Sequence, residues 1–142
     1  IFEFHVICDV PPKFNLKSVR FIPWTKKAEI EDLLNFNVGL MPLPADIWAK
    51  GKCGFKALQY MALGIPAVVS GIGVNAEIVE HGINGCVCNT PDEWYNSLEK
   101  LLTDTVYLKK LSEKTREKIV NNYSVKSNTE NFLNLFKQKP TI

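Results

Sequence analysis

The sequence predicts an α/β fold with a doubly wound, mostly parallel sheet. Three observations carry this. Strand-like runs alternate with helical stretches of about ten residues, the order in which parallel strands are joined by crossover helices. Residues 66–70 (Pro66-Ala67-Val68-Val69-Ser70) are a continuous apolar run, the kind a parallel sheet covers on both faces. Pro11-Pro12, Gly64-Ile65-Pro66 and His81-Gly82 mark breaks between these runs.

The elements follow in order. A strand-like run, Phe2-Glu3-Phe4-His5-Val6-Ile7-Cys8, opens the chain, and Pro11-Pro12 marks a loop before the short β-rich run Val19-Arg20-Phe21-Ile22-Pro23. Thr25 is placed to cap a helix whose apolar face is Ala28, Ile30, Leu33 and Leu34, ended by Asn37. Residues 38–43 form the next strand, 43–54 a loop, 54–63 a helix and 66–70 the buried strand. A brief helix over 75–80 closes at His81-Gly82, and Cys86-Val87-Cys88 is the last strand. Pro91 starts a helix at its first turn. Leu108, Leu111, Thr115 and Ile119 share one face of the penultimate helix, and Ser124 caps the final one. Ligands of such sheets bind beyond the strand C-termini, so the loops of interest are 23–25, 43–54 and 70–75.

A length of 142 residues predicts one domain with a core of its own. Seventeen basic against fifteen acidic residues leave a net charge of +2, and no Lys/Arg cluster interleaves with aromatics, so nucleic acid is not an expected partner. Cys8, Cys53, Cys86 and Cys88 lack C-x-x-C spacing and only His5 and His81 could join them, so no metal site is expected and the thiols read as reduced. No apolar run is long enough to span a bilayer and no signal peptide opens the chain, which predicts a cytoplasmic protein. The match of Asn122-Tyr123-Ser124 to a glycosylation sequon is discarded on that ground. The chain begins at Ile1, directly on a strand and without an initiator methionine, and reads as a piece of something longer.

The most informative stretch is residues 51–70. It reads as a glycine-flanked helix start at Gly54, a helix, a Gly-x-Pro stop and a buried strand. Backbone N–H groups and the positive end of the helix dipole converge at Gly54, Phe55 and Lys56, where a diphosphate could be held, with Lys52 and Lys56 adding charge.

From Asp46 onward the chain resembles the C-terminal, donor-binding half of the group 1 retaining glycosyltransferases of GT-B fold, whose C-terminal half is Rossmann-like. Residues 54–66, from Gly54-Phe55-Lys56 through Gln59 to Gly64-Ile65-Pro66, resemble the family's signature helix. Gly73-Val74-Asn75-Ala76-Glu77-Ile78-Val79, followed by His81-Gly82-Ile83-Asn84-Gly85, resembles its second landmark, and Asn122-Tyr123-Ser124-Val125 its turn into the last helix. The resemblance implies a sugar transferred from a nucleoside diphosphate donor with retention, the nucleotide sugar being substrate and no cofactor being needed.

The implied roles carry over by position. Gln59 stands where the family has a glutamate that binds the ribose diol; exchanging a charged for a neutral hydrogen bond weakens that contact by about 1 kcal/mol. Gly51 stands where a first glutamate faces the donor sugar, and Asp46 is the candidate substitute. Some members begin this signature with a Trp, a few residues and Gly-Lys, as in Trp48-Ala49-Lys50-Gly51-Lys52, and Lys52 then meets the diphosphate. Gly73 and Val74 would border the sugar, Glu77 support their loop, and Trp24 meet the nucleotide base. The family's first strand in this half is missing, with an Arg and a Lys that follow it, which leaves a slot at the switch point. The N-terminal acceptor-binding half, with its histidine near the reacting carbon, is also missing. It is the expected partner, catalysis by this chain alone is not expected, and peripheral membrane association would come through that half.

Plainer roles stand beside these. Gly54 and Phe55 could simply start a helix; Gln59, Lys52 and Lys56 could be solvent-facing; Gly73 and Glu77 could shape and cap a short helix; Trp24 could be a packing anchor. Three functional readings follow: a glycosyltransferase donor domain that stabilises the departing diphosphate electrostatically and without a metal, a degenerate nucleotide-binding or scaffold domain, and a sugar-nucleotide epimerase of the same fold.

Overall fold

The computed structural model describes residues 2–13 and 16–137. The chain divides into two compact units, Ile1–Phe36 and Asn37–Ile142. In the first, β1 (Phe4–Cys8) pairs in parallel with β2 (Val19–Pro23), in a register running from Phe4 opposite Val19 to Cys8 opposite Pro23. Helix α1 (Glu29–Leu33) follows, its leading turn closed by the Thr25 hydroxyl accepting from the Ala28 N–H at 3.2 Å. The His5 ring meets Phe36 edge-on, and its Nε2 lies 2.8 Å from Glu3, a hydrogen bond that lowers the Glu3 carboxyl below its ordinary range.

The second unit holds a parallel sheet in the order β3 (Gly39–Met41), β4 (Ala67–Ser70), β5 (Gly85–Cys88). The helices are α2 (Ile47–Lys50), α3 (Phe55–Ala62), α4 (Asn75–Ile78), α5 (Pro91–Thr103), α6 (Thr105–Asn122) and α7 (Val125–Lys137). The α/β class and the parallel direction are as the alternation predicts. Among the described residues the strands form two hydrogen-bonded sheets where the alternation suggests one, because element order fixes strand direction but not which edges meet.

Strand β4 is the spine of this unit: Ala67, Val68 and Val69 have no exposed surface. The two-residue strand period sends Ala67 and Val69 to one face, with Met41, Ala57, Met61, Ile78 and Ile119, and sends Val68 to the other, with Cys86, Cys88, Leu101 and Leu111. Each fully buried valine or methionine contributes about 2 kcal/mol. Helix α6 runs beneath α3 and answers backbone carbonyls that the short elements leave open. The Ser112 hydroxyl donates to the Gly64 carbonyl, Arg116 to Ala62, and Thr115 to Asn84. Thr90 and Glu93 form a reciprocal capping box at the start of α5, with Pro91 in its first turn as predicted. The Ser124 hydroxyl accepts from the Ser127 N–H at 3.0 Å, as expected of a cap for α7. Cys86 and Cys88 are buried, which pushes both thiols up.

Gly51 and Gly54 end and start helices three residues apart but are not equivalent. Gly54 has φ 67°, in the left-handed region, and a Cβ there would stand 2.3 Å from the Ile78 Cδ1. Gly51 has φ −82°, and a Cβ would meet only the Trp48 carbonyl at 3.6 Å. Gly54→Ala is therefore expected to cost about 2 kcal/mol or more in thermal unfolding, from backbone strain and overpacking. Gly51→Ala is expected to raise stability by roughly 0.5 kcal/mol by restricting the unfolded chain.

Tyr107 supplies a second test. Burial, then the neighbouring Cys86, push its phenol up to about 12 from 10.0. The folded chain therefore holds this proton after the unfolded chain has released it. Stability from Tyr107 is complete below pH 10.0 and is lost as pH rises through about 12. Comparing melting curves of Tyr107→Phe and wild type, the variant should gain on wild type across that window and at no lower pH.

Candidate functional site

The candidate site is built from three pieces of the second unit: α2, the turn 51–54 leading into α3, and the loop 71–74 before α4. Residues 43–54 read as loop in the sequence, yet they contain α2. Asp46 starts it, its Oδ1 accepting from the Ala49 N–H at 2.6 Å. That bond commits the Asp46 carboxylate to the backbone, so it is a cap before it can be a sugar contact. Ala49 is buried, while Ile47, Trp48 and Lys50 face solvent.

The chain then turns tightly. The Gly51 N–H bonds to the Trp48 carbonyl and the Lys52 N–H to the Ala49 carbonyl, both at 3.2 Å. Lys52 and Cys53 are exposed, and among the described residues Lys52 has no ion-pair partner. Gly54 is buried and is the N-cap of α3, where no side chain caps the helix. The α3 dipole and first-turn N–H groups thus open where Phe55 and Lys56 are exposed. Between residues 46 and 56 three lysines face one carboxylate, and that one is already engaged. Three lysines against one carboxylate give that stretch a formal charge of +2.

The second landmark is locked against this turn. Gly73 has φ 57°, and a Cβ on it would lie 2.7 Å from the Lys50 carbonyl. The Val74 Cγ2 lies 3.4 Å, and the Asn75 Oδ1 3.2 Å, from where a Gly54 Cβ would stand. Asn75, almost fully buried, donates through Nδ2 to the Ser70 carbonyl at 3.1 Å, while the Ser70 hydroxyl accepts from the Leu43 N–H at 2.9 Å. These two side chains tie the loop to β4 and to the end of β3. Sequence reasoning passed over both, and an asparagine between Val74 and Ala76 was the available signal. Glu77, expected to support this loop, is exposed on α4; its N–H donates to the Val74 carbonyl at 3.0 Å, and its carboxylate has no hydrogen bond or ion pair among the described residues.

Of the predicted site residues, Asp46, Gly51, Lys52, Gly54, Phe55, Lys56, Gln59, Gly73, Val74 and Glu77 lie in the second unit; Trp24 lies in the first. Trp24 directly follows β2, is 42% exposed, and its N–H donates to the Cys8 carbonyl at 3.1 Å. Lys56 and Gln59, one helical turn apart on α3, meet each other, Nζ donating to Oε1 at 3.1 Å. A cavity of about 780 Å³ opens at the strand C-termini, lined by residues 42–45, 70–72 and 88–91 and by Trp94. It contains none of the predicted site residues and no charged side chain. Among the described residues no group of three His, Cys, Asp or Glu is placed to hold a metal, and no helix is long and apolar enough to cross a membrane.

Comparison with known proteins agrees on the family. Residues 2–104 match the family model described as glycosyl transferases group 1. No curated protein sequence matches the chain. Among solved structures, sucrose-phosphate synthase from Thermosynechococcus elongatus superposes with a TM-score of 0.67 at 17% identity, over 85% of this chain and 30% of that one. HepE of Anabaena, in complex with UDP and glucose, gives 0.68 at 20% identity, over 86% and 33%. The C-terminal domain of the group 1 family protein LpcC from Francisella tularensis gives 0.61 at 19%, over 77% and 55%. The chain thus spans about a third of the first and second of these and about half of the third. With its parallel α/β architecture and its family match over most of its length, the chain belongs to the group 1 glycosyltransferases and has the fold of the C-terminal domain of the GT-B enzymes.

Proposed function

We propose that this chain is the donor-binding part of a retaining glycosyltransferase, holding a nucleoside diphosphate sugar whose diphosphate sits at the N-terminus of α3. The observation that carries this is the uncapped α3 start at Gly54, set among Lys50, Lys52 and Lys56 and braced by Gly73 and Val74. In that geometry the leaving diphosphate gains its stabilisation from fixed backbone dipoles and lysine charge as the bond to the sugar breaks, with no metal or cofactor required. The acceptor and the groups near the reacting carbon come from an N-terminal half, without which the chain binds donor but does not transfer. A cytoplasmic setting, with any membrane contact made through that half, suits a nucleotide-sugar substrate. The UDP held by HepE makes UDP the first nucleotide to test.

Gln59 serves the ribose in this reading. It is partly exposed on the same turn of α3 as Lys56, whose ammonium already orients its amide oxygen and leaves the amide N–H groups to donate.

Calorimetric titration with UDP, GDP and ADP tests the proposal. Saturable binding of one of them is expected, weakened about tenfold by Lys52→Ala, as for loss of a charge-assisted hydrogen bond. Because Lys52 is exposed, that difference should shrink as salt rises from 50 to 500 mM, about a threefold fall in screening length. Gln59→Ala should weaken binding by roughly threefold, with little salt dependence, as for a neutral hydrogen bond. Absence of binding by all three nucleotides would sink the proposal in favour of a scaffold role.

A further inference from the structure

One feature of the site is not used by the diphosphate. Trp48 is 80% exposed and its neighbour Ile47 91% exposed, in a segment whose backbone is fixed. Asp46 caps α2 from one side, Ala49 is buried beneath it, and Gly73 packs on the Lys50 carbonyl at the other end. The indole is therefore held out on a rigid support. A tryptophan in water leaves a large apolar face unsatisfied, and a rigid aromatic loses little freedom when a ligand covers it.

The position relative to the cations narrows what that ligand is. The Trp48 carbonyl accepts from the Gly51 N–H, and Lys52 follows at once, so the indole and the cation at the α3 start share one turn of chain. When the diphosphate of a donor sits at Lys52 and Gly54, the group bonded to its outer phosphate is the sugar. A pyranose ring presents a face of C–H bonds, weakly positive, to the negative face of an aromatic ring, and its hydroxyls point outward to polar partners. No acidic side chain other than the engaged Asp46 lies between residues 44 and 56 to repel the phosphates.

We infer that Trp48 is the platform on which the donor sugar lies, and that the sugar is a hexopyranose with an open C–H face. This rests on the donor-binding reading above and adds to it the residue that recognises the sugar.

The test compares each nucleoside diphosphate with its sugar ester: UDP with UDP-glucose, GDP with GDP-mannose, ADP with ADP-glucose. In wild type the ester of the preferred base should bind more tightly than the diphosphate alone. Trp48→Ala should lower affinity for the ester roughly fivefold to tenfold while leaving the diphosphate within about twofold, and Trp48→Phe should restore most of the loss. Melting curves of both variants should match wild type, since the side chain stands in solvent. Equal loss for ester and diphosphate, or no loss for either, overturns the role of Trp48 and leaves the donor site standing; the second result would make the indole a contact for another part of the protein. If no diphosphate and no ester binds wild type, the donor reading falls and the platform falls with it.

Discussion

The second unit depends on the complete burial of β4. A strand with water on neither side has to be apolar at consecutive positions, and its backbone has to be paired at both edges. β3 and β5 supply the pairing, while α3 and α4 on one face and α5 on the other supply the cover. Once β4 is fixed, Ser70 is fixed at its end, and through the Leu43 N–H and the Asn75 amide it sets where the two neighbouring loops begin. The candidate site is thus a by-product of the core, reached through two hydrogen bonds. Helix α6 anchors the opposite end of α3 through Arg116 and Ser112, so that α3 is held at both ends.

This arrangement is how a domain with an almost neutral overall charge would carry the anion site proposed above. Between residues 46 and 56 the lysines are few, but the one carboxylate in that stretch is used as a helix cap, and the α3 N-terminus adds its own partial charge. The field is local because its sources are local. It needs no excess of basic residues elsewhere.

Much of this was legible in the sequence. The long elements were, because burial on one face leaves a period: residues 54–63 and the face of Leu111, Thr115 and Ile119 read correctly as helix, and residues 66–70 as a strand covered on both sides. Caps with a chemical signature, Pro91 and Ser124, were also readable. Helix α2 was not, since four residues are too few to show a period and the prolines before it read as loop. Nor was the pairing of strands, which depends on edges far apart in sequence. At the site, residue types were legible and their commitments were not: Asp46 shows its carboxylate but not that Ala49 takes it, and Lys56 and Gln59 show a cation and an amide but not that they bond to each other. Asn75 was overlooked because a buried asparagine is indistinguishable by pattern from an exposed one.

The close approach of Gly73 to the Lys50 carbonyl, and of Gly54 to Val74 and Ile78, has a further consequence. Loops on a protein surface usually gain and lose residues independently, because each is bounded by its own strand and helix. These two are not independent. With no room for even a Cβ between them, a residue inserted between α2 and α3 would drive the Lys50 carbonyl into Gly73, and one inserted between β4 and α4 would do the reverse. The two connections behave as one mechanical part. Changes of length that survive here will be paired ones, and a graft that moves one loop into another scaffold will have to carry the other with it.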